Sequence, residues 1–338
     1  MRKSTQLDIF ESSQVGREAR APKSPLYHEV MAGHPDRPLI VSLGMGVDSV
    51  GGTISMIKHK VPIDLIIFAD TGAEKPETID YIGVFDEWLK NEIGIGVTVC
   101  RLIPPKAPYR TLEEELDANV ILPGIALGVG SCSMKWKQSA IHTHLKGAPA
   151  SGNRPLIPGW SPAIAAWADG HKVIKFIGYD AGAKDKRRSS SPGDDKYDNL
   201  YWLREVGYDR LDCANEIISV GLTIPVKSAC FFFCSASKIP ELMWLHHHHP
   251  QLFRKSLVIE QNALPRLTNS EGLWRKTRVS DGRPGNWKQW ALQAGLIRLD
   301  DTDPDGFSLL PQSNPPVHYP DDEIEHLLTQ GQFRRLAA

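Results

Sequence analysis

The stretch from Leu39 to Val50 has the composition of a site for a phosphate group. It reads L-I-V-S-L-G-M-G-V-D-S-V, so an apolar run that predicts a strand is followed by two glycines that predict a tight loop. Asp48 and Ser49 are residues that favour the start of a helix. Backbone N–H groups at the N-terminus of a helix bind anions, and the sequence therefore predicts a phosphate-bearing ligand at this loop.

Three later segments carry polar and basic residues that could share this ligand. They are F-A-D-T-G at 68–72, G-S-C-S-M-K-W-K at 130–137 and G-Y-D-A-G-A-K-D-K-R-R at 178–188. Because lysine and arginine side chains bind phosphate oxygens, the segments suit a polyphosphate better than a neutral metabolite. The alternative for the basic run at 184–188 is a solvated surface loop.

An alternation of strands and helices must bring these segments together. We predict strands at 39–43, 63–69, 97–102 and 173–179, and helices at 49–60, 78–92, 112–119, 133–146 and 162–169. This order predicts an α/β fold with an open, mainly parallel twisted sheet and helices on both faces. In such sheets the ligand lies beyond the carboxyl ends of the strands.

Composition places the chain among ordinary globular proteins. Its 338 residues are 41% hydrophobic and 23% charged, and the formal net charge of -1 neither requires nor excludes nucleic acid as a partner. No apolar run approaches the roughly 18 residues that span a bilayer. The N-terminal residues also lack the apolar core of a signal peptide, so we expect no membrane partner and a cytoplasmic location.

Three regions are predicted along the chain. Residues 1–37 are polar with scattered prolines and are expected to form a loosely ordered arm. Residues 38–221 are expected to form the α/β nucleotide-binding domain. Beyond them the strand pattern stops and helices with aromatic residues follow, so 222–338 is predicted as a smaller, mainly helical C-terminal domain.

Two common nucleotide-binding loops match the first segment poorly. A Walker loop needs a lysine after its last glycine, and none follows Gly44 or Gly46, so an ordinary kinase or motor ATPase is not indicated. A dinucleotide fingerprint needs a third glycine where Ser49 stands, although Asp70 lies near the distance of its acidic residue. A dinucleotide is therefore the weaker hypothesis.

Six segments, in order along the chain, resemble the phosphoadenosine phosphosulfate reductase-like family of the PP-loop ATP pyrophosphatases. They extend from Leu39 to Cys234 and read V-S-L-G-M-G-V-D-S, F-A-D-T-G-A-E-K-P-E-T, G-S-C-S-M-K-W-K, G-Y-D-A-G-A-K-D-K-R-R, L-D-C and K-S-A-C-F-F-F-C. In this superfamily a loop of the type S-G-G-x-D-S wraps the pyrophosphate of ATP. The resemblance implies a PP-loop (HUP-like) sheet and an adenine nucleotide as ligand.

The resemblance also implies roles for individual residues. Those expected to bind ATP are Ser42, Gly44, Met45, Gly46, Asp48, Ser49, Asp70, Thr71, Gly72, Lys184, Arg187 and Arg188. Catalytic roles are expected for Asp48, Lys135 and Arg187, and Asp48 or Asp70 is expected to help hold Mg²⁺. The lysines and arginines would offset charge on the phosphate oxygens.

The loop departs from the common pattern at two positions. Gly44 and Met45 replace the first serine and glycine, so a hydroxyl donor is lost and the Met45 side chain is expected to approach the ligand. Ser42 would compensate only in a reshaped loop. Nucleotide binding is expected to survive this change better than full activity does.

The cysteines suggest a cluster, and three interpretations stay open. By resemblance, Cys132, Cys213, Cys230 and Cys234 would hold a [4Fe-4S] cluster, which needs four sulfur ligands. A zinc site made by three of them, without Cys132, and by one of His246–His249 is the first alternative. Buried apolar cysteines are the second. Cys100, at the end of a predicted strand, is expected to be a small core residue.

Several aromatic and histidine residues have simpler interpretations. His246–His249 precede Pro250 and are expected to close a helix at the surface, where imidazoles suit the negative end of the helix dipole. Phe231–Phe233 is expected in a core. Trp274, Trp287 and Trp290 lie among basic residues, and a helix packed by tryptophans is favoured over a surface that stacks on nucleic acid bases.

The resemblance implies an enzyme that cleaves ATP to AMP and pyrophosphate and adenylates an acceptor for sulfur transfer. The expected partners are a nucleobase-containing or nucleic acid acceptor and a sulfur-donor protein; the oligomeric state, with a homodimer as one option, stays open. The alternatives are a sulfonucleotide reductase and a nucleotide-sensing or nucleic-acid-binding module with little turnover. Residues 332–338 contain no cysteine, whereas such reductases carry a nucleophilic one on a closing tail, which disfavours the first alternative.

Overall fold

The computed structural model describes residues 23–34, 36–129, 132–183, 185–188, 190–226 and 231–316. The strands are β1 Leu39–Leu43, β2 Leu65–Ala69, β3 Val97–Cys100, β4 Val173–Phe176, β5 Tyr197–Leu200, β6 Ile297–Leu299 and β7 Phe307–Leu309. The α-helices are α1 Pro25–Met31, α2 Val47–Lys58, α3 Pro76–Ile93, α4 Leu112–Asn119, α5 Ser139–Lys146, α6 Ser161–Ala168, α7 Trp202–Val206, α8 Arg210–Ser219, α9 Ile239–His248, α10 Pro250–Ala263 and α11 Trp287–Gln293. A π-helix covers Ser133–Gln138, and 3₁₀ turns cover Gly124–Leu127, Asp185–Arg187 and Leu264–Arg266. Within these ranges, no helix has the length and apolar character needed to cross a membrane.

Five parallel strands form one sheet in the order β3-β2-β1-β4-β5. The chain builds outward from β1 to β3 on one side and then returns beside β1 with β4. Because the strand order reverses between β1 and β4, their carboxyl ends leave a crevice between the loops that follow them. The predicted α/β class is confirmed, and β1 has the predicted bounds.

The sheet alternates its side chains between two cores, as period-2 strands require. The α2-side core contains Leu39, Val41 and Leu43 of β1 and extends to α2, α3, α7 and α8. The α5-side core contains Ile40 of the same strand and extends to α5 and α6. Side chains of even number in β1, such as Ser42, therefore face α5 and α6.

The edge strand β5 is missing from the sequence prediction. Its central residues are Asp198 and Asn199, which give no apolar run, and the strand pairs with β4. Asp198 is paired with Arg37 and, at 3.2 Å, with Lys172. Charge pairing therefore replaces apolar burial along part of this edge, and an apolar pattern cannot reveal such a strand.

The C-terminal core is built from two separated parts of the chain. Phe231–Phe233, Trp287 and Phe307 pack in it together with Leu116 and Trp136 from the long connection between β3 and β4. This core therefore crosses the domain boundary that the sequence predicts at 221/222. The described part of 222–338 contains the helices α9, α10 and α11 and the antiparallel hairpin β6–β7.

The segment predicted as a loosely ordered arm contains α1. Ser24 caps this helix through its hydroxyl, which accepts a hydrogen bond from the Tyr27 amide at 3.1 Å. The Tyr27 ring stacks on Trp202 with ring centroids 5.4 Å apart. Residues 25–31 thus pack on the sheet domain, and residues 1–22 lie outside the described ranges.

Candidate functional site

The loop between β1 and α2 is held by the side chain of Ser49. Its hydroxyl accepts hydrogen bonds from the amides of Gly44, at 3.2 Å, and Gly46, at 3.3 Å. It also lies 3.0 Å from the Gly46 carbonyl oxygen, to which it donates. Gly46 stands at the N-cap and makes no side-chain cap, so the first-turn amides of α2 are left for another acceptor.

The position of Met45 corrects one prediction. Its side chain is fully buried in the α2-side core rather than directed at a ligand. Its backbone has a φ of +53°, in the left-handed region that a residue with a Cβ adopts at a cost. The buried thioether side chain contributes apolar contacts to this core, which favour the strained backbone conformation.

Asp48 lies beside a cation from a different element. Both carboxylate oxygens approach Arg210, the first residue of α8, at 3.3 and 3.2 Å. Burial raises the pKa of Asp48 to about 6, while Arg210 lowers it and the nearby Asp180 and Asp185 raise it. The predicted loop carboxylate is therefore present, but it is clamped by an arginine that the sequence analysis missed.

Asp70 organises the turn that follows β2. It accepts a hydrogen bond from the Gly72 amide at 2.7 Å and forms an ion pair with Arg101, whose Nε lies 2.8 Å away. The Thr71 hydroxyl lies 3.3 Å from Glu74 Oε1, to which it donates. Through these contacts Asp70 is paired with Arg101 and holds the backbone of the turn at Gly72.

A cleft of about 800 Å³ opens at the carboxyl ends of β1 and β4. The loops after the two strands meet at its mouth, because a Cβ built on Gly178 would lie only 3.4 Å from the Ser49 backbone. Of the predicted nucleotide contacts, Ser42 and Gly44 line it. The residues that line it also include Met134, Lys137, His142, Lys146, Lys175, Gly178, Tyr179, Asp194, Asp195, Lys196 and Tyr197.

Lys137 connects the cleft to the turn after β2. It lines the cleft and lies 3.4 Å from Oε1 of Glu74, whose side chain is fully buried. Burial raises the pKa of Glu74 to about 7, although Lys137 and Thr71 lower it. The second carboxylate oxygen, Oε2, has no hydrogen-bond partner among the described residues. A buried carboxylate thus stands directly behind a cation of the cleft.

A second group of lysines lies farther along the cleft, around His142. Lys146, Lys175 and Lys196 all line this part. Burial lowers the pKa of His142, and each of these lysines lowers it further, while Asp194 opposes them. The sequence analysis missed this group. The available signal was Lys175 itself, a charged residue in the otherwise apolar strand V-I-K-F.

The remaining basic candidates take different positions. Lys135 points away from the cleft and forms an ion pair with Glu115 of α4. Arg187 is exposed on its 3₁₀ turn. Arg188 pairs with Asp185 at 3.2 Å and lies 4.9 Å from the ring centroid of Tyr179, which lines the cleft. Lys184 lies outside the described residues.

The cysteines fall into separate packed regions. Cys213 is buried in the α2-side core, whereas Cys132 and Cys234 pack at the C-terminal core, and Cys230 lies outside the described residues. Within the described ranges no group of three or more His, Cys, Asp or Glu side chains is arranged to hold a metal ion. The four-cysteine cluster stays a prediction, and Cys213 does not join the two other described cysteines. Cys100 is buried in the α5-side core, as predicted.

Two predictions about aromatic and histidine residues have different outcomes. The phenylalanines 231–233 and the three tryptophans Trp274, Trp287 and Trp290 are buried, so the core interpretation is confirmed. The surface interpretation of His246–His249 is wrong for His246, which is buried and contacts the Leu296 carbonyl at 3.2 Å. The C-terminal end of α9 packs against the segment at Leu296, so the face of the helix that carries His246 is covered.

Two comparisons with known proteins identify no relative of this chain. A scan against protein-family models and a search of curated proteins each found no match to the chain. A functional assignment therefore depends on the cleft, on the loop at its mouth and on the motif resemblance of the sequence.

Proposed function

We propose that the chain is a PP-loop-type enzyme that binds ATP at this cleft and transfers its AMP group to an acceptor, with release of pyrophosphate. The observation that carries the proposal is the position of the loop 44–49. It leaves the central strand β1 at the point where the strand order reverses, opens α2 without a side-chain cap, and borders a cleft lined by lysines. Helix N-termini and lysines both favour phosphate groups.

The residues of the cleft have distinct roles in this proposal. The first-turn amides of α2 and the Ser42 hydroxyl bind phosphate oxygens of ATP. Lys137 offsets the negative charge that develops when an acceptor oxygen attacks the α-phosphorus. In that step a bond from the acceptor oxygen to the α-phosphorus forms, the bridging bond to the β-phosphate breaks, and pyrophosphate leaves with the electron pair.

Mg²⁺ fits this site as an ion that arrives with the nucleotide. It keeps several waters and is held by one or two carboxylates together with substrate phosphates. Asp48 is the carboxylate at the loop that could supply one ligand, although it is now paired with Arg210. When bound, the ion would neutralise phosphate charge and withdraw electrons from the reacting phosphorus.

Sulfur transfer to the adenylated acceptor is the part of the proposal that rests on resemblance. The acceptor is a nucleobase or a nucleic acid, and a sulfur nucleophile displaces AMP from it. The predicted [4Fe-4S] cluster at Cys132, Cys213, Cys230 and Cys234 would suit this cargo, but it requires Cys213 to leave the α2-side core in which it is buried. Iron and sulfide analysis of anaerobically purified protein, with Cys230→Ala as the comparison, tests that extension by itself.

A nucleotide-binding module with little turnover is the second candidate, and one observation favours it. The Ser49 hydroxyl already satisfies the amides of Gly44 and Gly46. A phosphate must displace or share these hydrogen bonds, so the loop is closed on itself in the form described. In this case ATP would bind and leave unchanged.

The decisive experiment measures AMP and pyrophosphate from ATP in the presence of a panel of nucleobase and nucleic acid acceptors. Lys137→Met should lower the rate of pyrophosphate release by about 100-fold, because a cation that stabilises transition-state charge is lost. Lys135→Met is the matched variant, two residues away on the same π-helix but directed at Glu115. It should keep most of the rate.

Three results separate the candidates. Release of AMP and pyrophosphate that depends on Lys137 supports the adenylating enzyme. Binding of ATP without either product, for every acceptor tried, supports the binding module instead. Equal losses in the two lysine variants would show that Lys137 has no special place in the reaction.

A further inference from the structure

We infer that the end of the cleft formed by Lys146, Lys175 and Lys196 around His142 is a separate subsite for a phosphate group carried by the acceptor. The inference names the chemistry of the second substrate, and to that extent it rests on the proposed function. Binding of the phosphate group itself does not depend on turnover of ATP.

Lys175 is the centre of this subsite. Its neighbour Ile174 packs in the α2-side core, so Lys175 stands on the opposite face of the sheet, toward α5 and α6. The side chain is half-buried, and its ammonium group makes no ion pair or hydrogen bond with any residue in the described ranges. It lies 4.5 Å from the centroid of the Tyr197 ring, and Asp194 is the carboxylate that acts on its charge. Burial accordingly lowers the pKa of Lys175. An anion in the cleft would supply the partner that this cation lacks.

The His142 imidazole lies close enough to all three lysines to feel the charge of each. It lies on α5, and its Nδ1 lies 2.7 Å from the hydroxyl of Tyr197 on β5. All three lysines disfavour its charged form. Asp194 is the opposing carboxylate, but its Oδ1 already accepts hydrogen bonds from the amides of Lys196 and Tyr197, at 2.8 and 2.9 Å. These hydrogen bonds leave the charge of Asp194 in place, so the imidazole stands in the field of three lysines and one opposing carboxylate.

The subsite is separated from the nucleotide loop along the sheet. Lys175 lies three residues before Gly178, which is about 10 Å of extended chain. Its partner in register on β1 is Ile40, four residues before Gly44. The cleft thus extends from the loop before α2 to a cationic end at Lys175, and a second substrate with its own phosphate fits that end.

The test follows the His142 imidazole by NMR in the full-length protein labelled at its histidines, with the resonance assigned by its loss in His142→Gln. Inorganic phosphate is the first probe. Its binding should raise the pKa of His142, because the anion offsets the three lysines. His144, on the same helix, is shifted by burial alone and should not respond.

The experiment is repeated with saturating α,β-methylene-ATP and with a nucleoside compared with its 5′-monophosphate. The response to phosphate should persist beside the ATP analogue, and the monophosphate should bind about tenfold more tightly than the nucleoside, which corresponds to one charged contact. Lys175→Met should remove this tenfold preference. Lys90→Met, which changes an exposed lysine paired with Asp86 on α3, should retain it.

Two outcomes would overturn the inference. One is a His142 pKa that stays unchanged at saturating phosphate. The other is a response that the ATP analogue abolishes, since that would place both anions at a single site. If His142 responds but ATP is never cleaved, the subsite stands and the proposed function fails. If ATP is cleaved and His142 is silent, the reverse holds.

Discussion

Two buried glutamates, Glu74 beside the cleft and Glu260 in the C-terminal core, have similar burial but different hydrogen-bond partners. Burial raises the pKa of both Glu74 and Glu260 to about 7. Glu260 accepts hydrogen bonds from the amides of Leu273, Trp287 and Lys288 at 2.7 to 2.9 Å. Glu74 instead pairs with the Lys137 side chain, and its Oε2 has no hydrogen-bond partner in the part of the chain that the structure describes.

The difference lies in what each carboxylate holds. Glu260 fixes the backbone at 273 and at 287–288, so it joins a loop to the start of α11. Glu74 holds a movable side chain that faces a cleft. A raised pKa alone therefore does not distinguish a structural carboxylate from a functional one. The distinction depends on which group the carboxylate binds and on whether that group can contact a ligand.

Replacement of Glu260 should have the largest effect on stability. Glu260→Ala leaves two buried N–H groups and one part-buried N–H group without an acceptor and should lower the free energy of unfolding by about 4 kcal/mol. Denaturant unfolding measures this change. Glu260→Gln keeps one oxygen acceptor and should lose about half as much. If the alanine variant had the same free energy of unfolding as the wild type, the three hydrogen bonds of Glu260 would contribute nothing to stability, and the comparison would be wrong.

The Glu74–Lys137 pair should behave as a coupled unit. Lys137→Met leaves a buried carboxylate without its cation and should lower the free energy of unfolding by about 3 kcal/mol. Adding Glu74→Gln should restore most of that stability but none of the pyrophosphate release. A double-mutant cycle measures the coupling. Additive losses would mean that the two side chains do not interact.

Glu74→Gln alone should separate positioning from folding. Lys137 loses the carboxylate that positions it, so the affinity for ATP should fall by about fivefold, which corresponds to about 1 kcal/mol. The free energy of unfolding should move little, because the amide fits the same space. Glu260→Gln, the matched change at the other site, should leave ATP affinity at the wild-type value in the same calorimetric titration.

Both glutamates should make stability fall as the pH rises. Their pKa values are raised from 4.5 to about 7 in the folded protein, so the folded state binds more protons than the unfolded state within this window. The free energy of unfolding should then decrease between about pH 4.5 and about pH 7. Glu260→Gln removes one titrating group, so the slope of the free energy of unfolding against pH should become shallower by an amount that corresponds to at most one bound proton. An unchanged slope would show that Glu260 does not titrate in this range.

The central part of the fold is predictable from the sequence because its strands are apolar and their loops carry glycine. Leu39–Leu43 and the helix after Gly46 follow directly from burial on both faces and from start signals. β5 is not predicted, because Asp198 within it is stabilised by an ion pair with Arg37, which is distant in sequence. The hairpin β6–β7 is too short for a periodic pattern.

The candidate site is only partly predictable. The loop residues Ser42 and Gly44 are found at the cleft, since glycines after a strand have a local cause. Lys137 and Lys135 cannot be told apart by sequence, because the π-helix that turns one toward Glu74 and the other toward Glu115 has no clear local signal. The inward direction of Met45 also depends on tertiary packing, which no spacing rule contains.

The contact between α2 and α8 links the loop to a distant part of the surface. A Cβ built on Gly51 would lie 2.5 Å from the Cys213 carbonyl oxygen, so the two helix backbones touch. Arg210 at the start of α8 also pairs with Asp48. The two helices should therefore open together in hydrogen exchange, and occupation of the loop should slow exchange along α8 as well as α2.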